Sequence, residues 1–311
     1  MINSNRWLRY SVSALLFIIA TFSCSILHAR ILNTDIAGSG KITDRNLGEI
    51  SGIAVSGINK DILWVINDSG NSASVYGLNP DGKLMCTLNI RGVSNNDWED
   101  IASFEYKGKY YILIADTGDN FAKRSKCFLH IVEEPDLGKT GDASSLSVTP
   151  SWSITYTYED GPRDCESVAV DTVSEKILLL SKRDAPPVLY ELPLKKDKKT
   201  VAKRLTEIKP LPERSDDILD FRSISSQPTG MDIKADGSAA VVITYGNAFY
   251  YRKKPSKDWA EVFTSAPEEI IVPRMRQAES ICFSRDGAGI YITSEQIPAP
   301  LYRLNISGSG K

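Results

Sequence analysis

The sequence predicts an all-β protein, a five-bladed β-propeller whose ring is closed by an N-terminal strand. Three observations predict it. A short motif returns five times, an apolar strand follows each return, and no long helical periodicity interrupts the series after residue 30. The motif reads Ser51-Gly-Ile-Ala54, Glu99-Asp-Ile-Ala102, Glu166-Ser-Val-Ala169, Thr229-Gly-Met-Asp232 and Glu279-Ser-Ile-Cys282, with starts 48, 67, 63 and 50 residues apart.

Each repeat opens on the motif as its first strand. The second strands are the most apolar: Ile62–Ile66, Tyr110–Ala115, Lys176–Leu180, Ala240–Thr244 and Gly289–Thr293. Third strands alternate, at Val75–Leu78, Phe128–Ile131, Val188–Leu192, Phe249–Tyr251 and Leu301–Leu304. Fourth strands are less regular and more polar, as outer edges should be. One such sheet has two apolar faces and cannot cover both alone, so radial packing of successive units is the expected solution. The last repeat holds only three strands, and the segment Ile31–Ile42 is expected to supply the fourth. Six blades are the alternative, with a degenerate unit near residues 136–160 or 205–225.

Residues 1–29 read as a signal peptide and residues 30–311 as a single propeller domain. Arg6 and Arg9 precede an uncharged stretch with a dense apolar centre from Ala14 to Ala20. The expected location is therefore periplasmic or secreted, with membrane contact only if the signal stays uncleaved. Lys+Arg number 37 against 39 Asp+Glu, and removal of residues 1–29 leaves 35 against 39, a net −4. No basic field draws the chain to nucleic acid, and a monomer is expected. The run Lys195-Lys-Asp-Lys-Lys199 reads as a solvated turn. Cys86, Cys127, Cys165 and Cys282 would remain, either as buried thiols or as two disulfides. Only His28 and His130 are present, which excludes a multi-histidine zinc site. His130 falls on a strand.

From about Leu47 to Leu304 the chain resembles a widespread, largely uncharacterised group of exported bacterial β-propeller proteins. The segments that carry the likeness are Leu63-Trp-Val-Ile-Asn-Asp-Ser-Gly70, Asp97-Trp-Glu-Asp-Ile-Ala102, Ile114-Ala-Asp-Thr-Gly-Asp-Asn120, Arg163-Asp-Cys-Glu-Ser167 and Thr229-Gly-Met-Asp-Ile-Lys-Ala-Asp-Gly237. More distantly, the repeated Glu-x-apolar-Ala pattern is similar to that of SdiA-regulated and phytase-like propellers.

In a propeller the first-strand starts and second-strand ends share one rim, where a pocket is expected. Glu99, Glu166 and Glu279 occupy equivalent positions there in three repeats. Like charges at a narrow mouth raise one another's pKa or recruit a cation. With Asp68, Asp116 and Asp119 they form an oxygen-rich set suited to a hard cation, Ca²⁺ first. Alternatively, each carboxylate pairs with Arg163, Lys182 or Arg276, or accepts backbone N–H groups. Asn67, Trp98, Arg163, Lys182, Tyr245, Arg276 and Glu295 are the ligand-binding candidates on the same rim. The mixture of acids with Arg and Lys fits a small polar or phosphorylated ligand. The leading expectation is such a ligand bound with a divalent cation. The alternatives are a metal-dependent phosphoester hydrolase of phytase-like type, with Glu99, Glu166 and Glu279 as its catalytic carboxylates, and a protein-interaction scaffold.

Overall fold

The computed structural model describes residues 30–139, 144–196, 199–214 and 224–306. The expected signal peptide, with His28, lies outside the described residues, as do positions 197 and 198 of the lysine run. Two strands, β1 (Arg30–Ile31) and β2 (Thr34–Ile42), precede a first meander of β3 (Ile50–Val55), β4 (Leu63–Asn67), β5 (Ser74–Leu78) and β6 (Leu84–Ile90). The next stretch holds β7 (Trp98–Tyr106), β8 (Lys109–Asp116), β9 (Cys127–Glu133), β10 (Ser145–Val148) and β11 (Trp152–Tyr158). It is followed by β12 (Cys165–Asp171), β13 (Lys176–Ser181), β14 (Val188–Pro193) and β15 (Thr200–Glu207). Then come β16 (Pro228–Ile233), β17 (Ala239–Thr244), β18 (Ala248–Arg252), the short helix α1 (Trp259–Phe263) and β19 (Glu268–Ile270). The last meander is β20 (Ala278–Phe283), β21 (Gly289–Ser294) and β22 (Ala299–Ile306).

Within each meander the strands pair antiparallel in chain order, so the apolar second strand is central and buried on both faces. The first strands pack in a closed circuit, β3 on β7, β7 on β12, β12 on β16, β16 on β20 and β20 on β3. Apolar clusters fill the spaces between neighbouring meanders. One joins Ile114 of β8 to Trp64 of β4, another joins Phe249 of β18 to Leu180 of β13.

The outer strands explain the uneven repeat lengths. β2 pairs antiparallel with β22 from Thr34↔Ile306 to Ile42↔Ala299, so the N-terminal segment supplies the strand the last meander lacks. β1 instead runs parallel to β19 at the edge of the preceding sheet. β10 joins the first meander beside β6, while β11 completes the second beside β9. Residues 145–158 are therefore outer strands of two existing sheets rather than a further unit. β11 also pairs parallel with β15, merging two meanders into one eight-stranded sheet.

Cys86, Cys127, Cys165 and Cys282 are buried and free. Burial pushes the thiols of Cys86 and Cys127 up to about 11 and that of Cys165 to about 12, which keeps them protonated and unreactive. His130 lies buried in β9 with Nδ1 2.9 Å from Ser153 Oγ. Helix α1 has a capping box between Asp258 and Glu261, readable in Asp258-Trp-Ala-Glu261. Its Trp259 Nε1 donates to Asp171 Oδ2 at 2.7 Å.

Candidate functional site

Every first strand carries a β-bulge at the same place. The register shifts between Ile50 and Gly52, Trp98 and Asp100, Cys165 and Ser167, Pro228 and Gly230, and Ala278 and Ser280. The unpaired residues are Ser51, Glu99, Glu166, Thr229 and Glu279, the five motif starts. A bulge frees one residue from the ladder and re-aims its side chain. The two hydroxyls use this freedom to strap neighbours together. Ser51 Oγ donates to Trp98 O at 2.9 Å and Thr229 Oγ1 to Ala278 O at 2.8 Å. The remaining three positions are glutamates, and all three are buried.

The glutamates are not equivalent. Glu166 is ion-paired with Lys182, which also donates to Tyr245 Oη at 2.8 Å. Tyr245 Oη donates to Glu279 Oε1 at 3.1 Å, so Glu166, Lys182, Tyr245 and Glu279 form one chain. Glu279 further shares a hydrogen bond with Glu295. Glu99 is 4% exposed, with Glu166, Asp68 and Asp97 opposing its charge and Lys182 favouring it. Its carboxylate belongs to two convergent groups, with Asp68 and Asp97 and with Asp164 and Glu166; within each group the oxygens lie within 4.8 Å of one another. Gly118 makes this approach possible, because a Cβ there would overlap Glu99 Oε1 and the Asp97 carboxylate.

The electrostatics follow from this crowding. Burial, then Glu166, Asp68 and Asp97, hold the Glu99 carboxyl well above its ordinary range. Burial and the neighbouring Asp68 push Asp97 up to about 6. Burial pushes Glu166 up to about 7 against the pull of Lys182. Burial, Glu166 and Glu295 raise Glu279 well above its usual value. Burial opposes the charge on Lys182, but Glu166 outweighs it and keeps the ammonium protonated.

Several residues expected on the rim are committed elsewhere. Asp116 is fully buried, ion-paired with Arg124 at 2.7 Å and bonded to Asn96 Nδ2 at 2.6 Å. Asp119 accepts the backbone N–H groups of Lys123 and Arg124 at 2.8 and 2.7 Å, which folds its own loop. Trp98 is fully buried in the apolar cluster with Trp64 and Ile114, so it offers a ligand no face. Arg163 bonds Tyr190 Oη at 2.5 Å and Asp160 at 2.8 Å, and lies 3.4 Å from Asp184. Asn67 is buried and donates to Asn46 O at 2.6 Å, while its Oδ1 has no hydrogen-bond partner. Arg276 is exposed, with Gln296 Oε1 at 3.2 Å. Asp97 and Asp164 were missing from the expected cation set. Each stands two residues before a repeat glutamate, a spacing visible in Asp97-Trp-Glu99 and Asp164-Cys-Glu166. Arg183 pairs with Asp164 at 2.6 Å and reaches Asn120 with 44% of its side chain exposed.

The donor set fits a hard cation: carboxylate oxygens only, Glu99 buried among them, gathered where a side chain at Gly118 would intrude. A recess of 480 Å³ beside β2, lined by Lys41, Asp81 and Tyr302 among others, holds none of these residues.

No protein-family model matches the chain, and no curated protein matches it. Among solved structures it is similar to the major allergen Mala s 1 of Malassezia sympodialis, with a TM-score of 0.54 and 11% identity over 89% of this chain and 98% of that one. It also matches a chain of the nidogen/laminin complex, with a TM-score of 0.43 and 12% identity over 79% of this chain and 72% of that one. At 11% identity the likeness is one of fold. The chain is an all-β protein of several sheets, structurally similar to β-propellers.

Proposed function

We propose that the protein is a five-bladed propeller that binds a divalent cation, Ca²⁺ first, together with a small polar or anionic ligand at the mouth where the five bulges open. The single observation that carries this reading is the buried Glu99 carboxylate, shared by two groups of convergent acids. A buried carboxylate crowded by other acids costs several kcal/mol, roughly, and a cation offsets that cost. Asp68, Asp97 and Glu99 would hold the cation, which supplies a positive anchor for an anion. Arg276 is exposed with no ion pair among the described residues, and Arg183, though paired with Asp164, keeps 44% of its side chain exposed. Lys182, by contrast, is buried in its ion pair, and Arg163 is held by Asp160, Tyr190 and Asp184. The test is thermal unfolding in Ca²⁺ and in EDTA. A ligand at 100 times its Kd stabilises the folded state by about 2.7 kcal/mol. An unchanged melting temperature rejects the cation.

Phosphoester hydrolysis is the second reading, favoured by the chain from Glu166 through Lys182 and Tyr245 to Glu279. Glu166 at about 7 suits a general base near neutral pH. Absence of turnover on a phosphomonoester and phosphodiester panel with any divalent metal rejects it.

A further inference from the structure

The opposite end of the first strands opens into a separate cavity of 780 Å³ to which all five meanders contribute. Along each first strand the motif's second residue is Gly, Ser or Asp. In the second meander it is Asp100, fully buried, whose carboxylate accepts backbone N–H groups from Ile101, Val168 and Met231 at 2.8, 2.8 and 3.2 Å. Asp100 thereby pins β7, β12 and β16 together between the bulged mouth and the cavity. The fold uses three of its roughly four acceptor sites.

The fourth motif position differs. It is Ala54, Ala102, Ala169 or Cys282 in four repeats and Asp232 in the other, and Asp232 lines the cavity. Its two oxygens each accept one backbone N–H, from Ile233 and from Phe283, both at 2.8 Å. A carboxylate has about four acceptor sites, so roughly two remain. No basic side chain is paired with it among the described residues. Burial pushes its carboxyl up to about 7. A carboxylate where the other repeats carry Ala or Cys is costly to bury, and the two backbone N–H groups offset that cost only in part.

Glu105, Glu175, Asp232, Asp236 and Asp286 stand against three lining bases. Asp236 is paired with Lys234 and Asp286 with Arg303, so Glu105 and Glu175 are the wall acids that extend the chemistry of Asp232. Each base is engaged: Arg285 with Ser56 O and Asn59 O, Lys234 with Asp236 at 3.6 Å, and Lys107 over the Tyr106 ring at 4.7 Å. Phe104, Tyr110 and Phe283 add aromatic surface, which attracts organic cations. We infer that this cavity is a second binding site, for a small organic ammonium compound, with Asp232 as its counter-ion. The site is independent of the cation site at the other mouth.

The test is calorimetric titration of the purified protein with putrescine, ethanolamine and benzylamine, with 1,4-butanediol as the uncharged control. At least one amine is expected to bind saturably and the diol not at all. Asp232→Asn should weaken that amine at least tenfold. The double variant Glu105→Gln/Glu175→Gln changes only exposed side chains and should weaken it at least threefold. Affinity should be the same in Ca²⁺ and in EDTA. The inference is overturned if no amine saturates, if the diol binds as well, or if a folded Asp232→Asn variant binds unchanged. It is overturned too if EDTA abolishes binding. If Asp232→Asn does not fold, the double variant decides, and unchanged affinity there overturns the inference.

Discussion

Asp100 Oδ2 accepts the backbone N–H of Met231 at 3.2 Å although 131 positions separate the two residues in the chain. The same oxygen takes the N–H of Val168 at 2.8 Å. First strands are sheet edges, so their inward N–H groups have no ladder partner, and one carboxylate serves three of them. Asp100→Ala should leave three buried donors unsatisfied and cost roughly 3 kcal/mol or more, read by chemical denaturation. Asp100→Asn keeps one acceptor oxygen and should cost less.

The acids near the bulged mouth divide into those that hold a cation and those that hold the fold. Asp97→Asn and Glu99→Gln should each weaken Ca²⁺ binding at least tenfold by calorimetry. Asp116→Asn should change it less than threefold, because Asp116 is occupied by Arg124 and Asn96. Equal effects of Asp97→Asn and Asp116→Asn would remove the distinction.

Without a cation, stability should fall as pH rises from the ordinary carboxylate range to about 7. Asp97 titrates near 6 and Glu166 and Asp232 near 7 when folded, all raised by burial. Over that window the unfolded chain has lost protons that the folded chain retains, so increasing pH favours unfolding. Above about 7 the contribution of these three groups is constant. Ca²⁺ should flatten the slope by favouring the ionised form of Asp97. Melting temperatures at pH 5 and pH 8, with and without Ca²⁺, measure both effects.

Lys182 and Glu166 are 5% and 7% exposed, so neither charge can be removed alone without leaving the other buried. Lys182→Met should destabilise by roughly 3–5 kcal/mol, and Glu166→Gln/Lys182→Met should recover most of that loss. A double-mutant cycle on urea midpoints gives the coupling. Additive losses would mean that the pair contributes little.

The repeat made the strands readable, since each first, second and third strand falls where the apolar pattern puts it. The equivalence of Glu99, Glu166 and Glu279 was also legible, because a bulge at a fixed motif position returns each to one level. Partner choice was not legible. Asp116 and Asp119 look like rim ligands beside a Gly, yet Arg124, a few residues on, turns back and binds the loop shut. Trp98 sits at the strand start, but period two sends it into the space beside Trp64 rather than to the mouth. Asp97 was hidden for the converse reason: it precedes β7, and only the open side of Gly118 brings its carboxylate to Glu99.

The pairing of β2 with β22 makes a seam out of the two ends of the described chain. Of the nine residues in β2 only Ile42 is buried, so backbone hydrogen bonds rather than apolar packing hold most of that strand. Hydrogen exchange should begin there, with β2 amides exchanging through local opening long before those of β4, β13 or β17. The last sheet would then be the first to lose a strand, and the sheet's exposed edge would pass from β2 to β22.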